Sequence, residues 1–100
     1  YYRVDGAVVV REFTELDGFL QHPITISEQG VDLGAVEVWT NTGADGRRAS
    51  DTDDCEGWSQ NTDSQNRVRV GISDRLEKDW SDAGLEVCFD ARRHLYCFEQ

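Results

Sequence analysis

Residues 38–58 read VWTNTGADGRRASDTDDCEGW, and this stretch decides the fold. It begins with the β-favouring pair Val38-Trp39, which is typical of the end of a buried strand. Two glycines and four aspartates follow between residues 41 and 54, a composition that predicts a long loop. The stretch closes on Cys55, three residues before Trp58. The functional question is whether this loop cradles a cation or another ligand, or only connects two parts of a core.

The composition indicates a single folded domain over residues 1–100. Ten aromatic residues, three of them tryptophans, argue against a disordered chain. The net charge of −10 and the pI near 4.4 disfavour nucleic acid, polyanionic sugars and anionic membranes as partners. No run of about eighteen apolar residues is present, so we expect no membrane insertion.

The chain has three cysteines and no Cys-x-x-Cys spacing, which makes a zinc ribbon or a thioredoxin-type site improbable. One disulfide and one leftover thiol is the simplest interpretation. A disulfide favours an oxidising compartment, so we expect an extracellular or cell-surface protein.

The pattern of apolar residues predicts an α+β fold of mostly short antiparallel strands, with long loops and little helix. A hairpin is expected around Asp5-Gly6, and an extended segment at residues 55–59. The predicted strands are residues 24–26, 36–39, 68–72, 85–88 and 95–98, with residues 36–39 as a central strand.

A short helix or single helical turn is predicted within residues 13–20, with Thr14 as a possible N-cap. Its apolar face would be formed by Phe13, Leu16, Phe19 and Leu20.

Several motifs, in order, resemble endostatin and the wider C-type-lectin-like family, including shorter bacterial endostatin-like surface domains. They are VDGAVVV, LQHPI, VWTNTGADGRR followed by CEGW, and the ending with Cys88 and LYCFE. Trp80-Ser81-Asp82 stands where the lectins have a Trp-Asn-Asp triplet. The resemblance is firmer over residues 35–100 than over the rest of the chain.

This resemblance implies a C-type-lectin-like (endostatin-like) mixed fold with a disulfide between Cys55 and Cys88. It implies that Cys97 is a free thiol, because the half of the family fold that carries its partner is missing here. It also implies an extracellular, non-catalytic recognition or adhesion module with a protein or glycan ligand.

Two other functions remain open. The chain could be a structural subunit of a secreted or cell-surface assembly, because strand edges at Tyr1-Tyr2 and Val8–Val10 invite pairing with another chain. It could also be a calcium-dependent sugar-binding lectin.

An enzyme is not expected. The two histidines, His22 and His94, lie in no sequence context that marks a nucleophile or its base. The histidine cluster that binds zinc in endostatin is also missing, so no cofactor is expected apart from possible calcium.

The calcium hypothesis depends on the acidic loop. Calcium takes about six to eight oxygen ligands, and the candidates are Asp45, Asp51, Asp53 and Asp54. The spacing is not that of an EF-hand, and Ser81 replaces the asparagine of the lectin triplet. The alternative is a solvated acidic loop that keeps the protein soluble.

The possible ligand or partner contacts are Arg47, Arg48, Trp80 and Asp82. For the two arginines the favoured alternative is internal pairing with nearby carboxylates, given the acidic composition. Trp39 and Trp58 are expected in the core, and for Trp80, on a loop, a place in the core is the alternative to a ligand contact.

Overall fold

The computed structural model describes residues 1–59, 66–88 and 94–96. Three strands form one antiparallel sheet in the order β1-β2-β3: β1 is Glu37–Trp39, β2 is Arg67–Ile72 and β3 is Gly84–Val87. Two 3-10 helices, Phe13–Asp17 and Lys78–Trp80, and the helical turn Cys55–Trp58 complete the regular elements of the described chain. The expectation of a mostly stranded, loop-rich fold with little helix is confirmed at this level.

The sheet register places the alternating valines of β2 inside the protein. Val68 and Val70 are buried, and Val70 pairs with Trp39 of β1. The strand expected to be central is therefore the first of the three, and β2 holds the middle position. The outer side of β1 is covered by His94, whose carbonyl accepts a hydrogen bond from the Trp39 amide at 3.0 Å.

The core consists of two clusters of buried side chains. The first contains Val9, Val10, Leu20, Ile24 and Trp80, with Tyr1, Leu16 and Tyr96 packed against it. The second contains Cys55, Cys88, Val68 and Val70, with Trp39 packed against it.

Gly71 in β2 permits a close approach between the sheet and the second 3-10 helix. A Cβ atom at this position would overlap the Trp80 carbonyl and lie 2.9 Å from the Ser81 Cα atom. Only glycine allows the main chain that carries Trp80 to pack this tightly against the sheet.

The N-terminal part matches its predictions only partly. A tight turn with Gly6 at φ 88° brings Tyr2 opposite Val8, as expected for a hairpin. The helix at Phe13–Asp17 is capped by Glu12 and Glu15, and Thr14 is not its N-cap.

The apolar face predicted for that helix is wrong. Leu20 is buried, but Phe13 and Phe19 are 67% and 70% exposed. A 3-10 helix of five residues is too short to turn all four apolar side chains towards one core.

The extended conformation predicted for residues 55–59 is also wrong. Cys55, Glu56, Gly57 and Trp58 all have positive φ angles, between 52° and 70°. The Asp54 carboxylate closes this left-handed turn by accepting a hydrogen bond from the Gly57 amide at 2.9 Å.

At the C-terminal end, Leu95 and Tyr96 lie outside any strand. The other half of the strand predicted there, residues 97–98, lies outside the described residues.

Candidate functional site

A disulfide joins Cys55 to Cys88, with their Cα atoms 5.6 Å apart and both side chains fully buried. The pairing implied by the family resemblance is confirmed. The bond ties the left-handed turn to the end of β3. The predicted free thiol, Cys97, lies outside the described residues.

The acidic loop of residues 41–54 is closed by hydrogen bonds between its own residues. The side-chain Nδ2 of Asn41 donates to the Ser50 carbonyl at 2.9 Å, and the main-chain amide of Ser50 donates back to the Asn41 side-chain oxygen at 3.3 Å. Farther along, the Gly43 amide donates to the Arg47 carbonyl at 2.8 Å. The loop is therefore a closed hairpin and not an open cradle.

The two arginines of this loop behave differently. Arg48 folds back, with Nη1 at 3.3 Å from Asp51 and Nη2 at 3.0 Å from Asp54. Arg47 makes no ion pair with any residue that the structure describes. Of the two arginines, only Arg47 has a side chain without a carboxylate partner among the described residues.

Asp82, another predicted contact, is held inside the protein. One oxygen lies 2.6 Å from Nη1 of Arg69, and the other accepts a hydrogen bond from the Ala44 amide at 3.1 Å. Asp82 thus ties the acidic loop to β2, and both carboxylate oxygens are engaged. Its position supports a structural role and leaves it poorly placed to contact a ligand.

The structure does not bring the four candidate calcium ligands together. Asp51 and Asp54 pair with Arg48, Asp53 lies 3.7 Å from Arg69, and Asp45 accepts a hydrogen bond from the Arg47 amide. Over residues 1–59, 66–88 and 94–96, no group of three or more acidic, histidine or cysteine side chains is placed to share a metal ion. Neighbouring arginines compete for the carboxylates that a calcium ion would need.

The exposure of one tryptophan differs from its prediction. Trp58 was predicted in the core but is 45% exposed and stacks on Trp39, with 6.1 Å between ring centroids. Trp80 is only 7% exposed and belongs to the core. A ligand could contact Trp80 only inside a cavity whose wall the Trp80 side chain helps to form.

That cavity, here called the apolar cleft, has a volume of about 590 Å³ and lies between the first 3-10 helix, the end of β1, the acidic loop and residues 95–96. Its apolar wall is formed by Phe13, Leu16, Trp39, Trp80, Leu95 and Tyr96. Phe13 and Leu95, at 67% and 66% exposure, stand largely in solvent.

Three charged residues line the apolar cleft: Asp17, Asp45 and Arg47. All three are exposed, and none has an ion-pair partner within the described part of the chain. The acidic loop thus contributes to a site, but through Asp45 and Arg47 beside an apolar cavity.

The floor of the apolar cleft is held by Tyr96. Its hydroxyl donates a hydrogen bond to the Trp80 carbonyl at 2.6 Å, and the two rings are 5.6 Å apart. Burial raises the pKa of Tyr96 well above its ordinary value, so the hydroxyl stays protonated. The Trp39 indole Nε1 is buried without a hydrogen-bond partner among the described residues, an unusual state for a buried donor.

Sequence reasoning missed the apolar cleft because its wall is drawn from segments that are far apart in the chain. The available signals were Phe13, a large apolar residue among polar neighbours, and Leu95, the first residue of an apolar run. No periodicity marks two such residues as neighbours in space.

His22 lies against the N-terminal turn. Nδ1 of His22 lies 2.9 Å from the Val8 carbonyl oxygen, so this histidine braces the N-terminal turn.

In the regions described, no helix combines the length and apolar character that crossing a membrane requires.

Comparisons of the chain with family models, with curated proteins and with solved structures gave no match.

Proposed function

We propose that this protein is an extracellular, non-catalytic recognition domain of the C-type-lectin-like (endostatin-like) type, and that the apolar cleft is its ligand-binding site. The observation that carries the proposal is an apolar cavity of about 590 Å³ whose lining includes two solvent-exposed hydrophobic side chains, those of Phe13 and Leu95. Binding pockets typically fall in the range of about 300–1,000 Å³.

The exposure of Phe13 and Leu95 is informative because both side chains line the apolar cleft beside Trp39. Of the ten large hydrophobic side chains that are exposed among the described residues, only these two line it. Contiguous exposed apolar surface with a polar rim is typical of an interaction site.

The extracellular location is supported by the buried Cys55–Cys88 disulfide, since such bonds persist in oxidising compartments. The family assignment is supported by the order of the motifs and by this same pairing. Three of the four candidate calcium ligands of the lectin alternative, Asp51, Asp53 and Asp54, lie in ion pairs with Arg48 or Arg69.

Ligand-observed and protein-observed NMR with small aromatic probes, indole and p-cresol, test the proposal. We expect both probes to shift the indole N–H signals of Trp39 and Trp80. Phe13→Ser should weaken these shifts, because it removes one wall of the apolar cleft.

Phe19→Ser is the matched control, because Phe19 is equally exposed but does not line the apolar cleft. Probe binding that is the same in Phe13→Ser, Phe19→Ser and the unaltered protein would show that the apolar cleft is not a binding site.

A further inference from the structure

Building on the proposed function, we infer that the apolar cleft binds an exposed segment of another protein in which a bulky apolar side chain, aromatic or leucine, stands next to a lysine or arginine. The apolar side chain enters the cleft, and the basic residue faces Asp17 and Asp45 beside it.

The apolar half of this ligand follows from the wall of the cleft. Phe13 and Leu95 flank the opening, and Trp39 and Trp80 lie farther in. Such a wall offers dispersion contacts and desolvation but few hydrogen bonds. Anchoring by one large side chain is how protein surfaces commonly fill a pocket of this kind.

The basic half follows from charge. Two carboxylates and one guanidinium line the cleft, and all three are unpaired within the described residues. The neighbouring cation, Arg48, is already neutralised by Asp51 and Asp54. The whole chain carries a net charge of −10, so its field attracts basic partners, and the carboxylates of Asp17 and Asp45 offer them a contact beside the cleft.

Two hydroxyls in the lining are not free to bind a sugar. Those of Thr40 and Thr42 donate to the main-chain carbonyls of Ser81 and Thr40. The remaining polar groups, chiefly Asp17, Asp45 and Arg47, are charged and suit a charged ligand group. Binding of a glycan by these groups is one of the outcomes that the test below distinguishes.

A second copy of the chain is disfavoured by the same charge. Two domains of −10 repel each other, and the carboxylates beside one cleft would face an equally acidic surface. The charge that repels another copy favours a basic segment.

The test is selection from a random heptapeptide phage library on the disulfide-bonded protein, followed by fluorescence anisotropy with the selected peptides. We expect enrichment of sequences with an aromatic residue or leucine within two positions of lysine or arginine. Phe13→Ser should weaken binding at least about tenfold, and Phe19→Ser should change it by less than about twofold.

The charge component is tested with Asp17→Asn combined with Asp45→Asn. We expect binding several-fold weaker and less dependent on salt than in the unaltered protein. Asp32→Asn is the control, because Asp32 is also exposed and accepts a hydrogen bond from the amide two residues on, as Asp45 does.

Failure of the proposed ligand class and failure of the cleft as a binding site give different results. Selected peptides without basic residues, or peptides that bind the Asp17/Asp45 variant as tightly as the unaltered protein, would overturn the ligand class and leave the cleft function intact. Selected peptides that bind Phe13→Ser normally would overturn both. If no peptide is selected but a printed glycan array or a concentration-dependent mass reports binding that Phe13→Ser abolishes, the ligand is a sugar or a second copy and the inference is wrong.

Discussion

Replacing the disulfide by Cys55→Ala combined with Cys88→Ala is expected to destabilise the protein strongly. The bond links residues 33 positions apart. Closing a loop of this length in the unfolded chain corresponds to about 4 kcal/mol of stabilisation from lost chain entropy. A domain of this size commonly has only about 5–15 kcal/mol in total, so the bond is a large part of its stability.

Relaxation of the left-handed turn in the variant partly offsets this loss of stability. Cys55, Glu56 and Trp58 are non-glycine residues with positive φ angles, a conformation that costs roughly 1–2 kcal/mol per residue. Without the bond the turn can relax and recover part of that cost. We therefore expect a net loss of about 2–4 kcal/mol, or a fall in Tm on the order of 10–30 °C.

Urea unfolding followed by tryptophan fluorescence measures the free energy, and thermal unfolding followed by circular dichroism measures Tm. The m-value should rise in the variant, because its unfolded chain is less compact. Reduction of the unaltered protein should reproduce the variant's midpoint and leave the variant unchanged. A net loss below about 1 kcal/mol would refute the account of the bond as the main constraint on the unfolded chain.

Two further predictions concern the fold. Gly71→Ala should cost at least about 2 kcal/mol in urea unfolding, because the new Cβ overlaps the Trp80 carbonyl. Gly43→Ala is the control, because the atom nearest to its new Cβ is the end of the flexible Asp45 side chain at 3.2 Å; equal effects of the two would contradict the packing argument. A side-chain hydrogen bond from Arg3 lowers the pKa of Asp5 to about 2. The pair therefore stabilises the fold above the unfolded pKa of 3.8, and that contribution is lost as pH falls from there towards 2. Unfolding midpoints of Asp5→Asn should depend less on pH in that window than those of the unaltered protein, and identical pH profiles would contradict the assignment.

The candidate site shows where sequence reasoning succeeds and where it stops. Internal pairing of both arginines with nearby carboxylates was the favoured alternative for the loop, since opposite charges a few residues apart meet readily. The structure shows it for Arg48, with Asp51 and Asp54. The same reasoning could not separate Arg48 from its neighbour Arg47. Which of two adjacent side chains finds a carboxylate depends on the direction each takes from the loop.

The tryptophans show the same limit. Composition made all three candidates for the core, but Trp58 leaves it because its turn is left-handed, and Trp80 enters it because Gly71 admits its main chain. Each outcome depends on a backbone conformation or a close approach set by residues elsewhere in the chain.

The sequence by itself determined the strand at residues 68–72, because the alternation of valines with other residues is a local property of a half-buried strand. It also indicated a strand at residues 85–88, where the structure has β3, although Leu85 is exposed there. Together with the family resemblance, it also determined the pairing of Cys55 with Cys88. The apolar cleft was decided only by the tertiary structure, because Phe13, Trp39 and Leu95 come from separate segments and meet only when the chain is folded. Burial and proximity depend on the whole arrangement of the chain, and no local pattern encodes them.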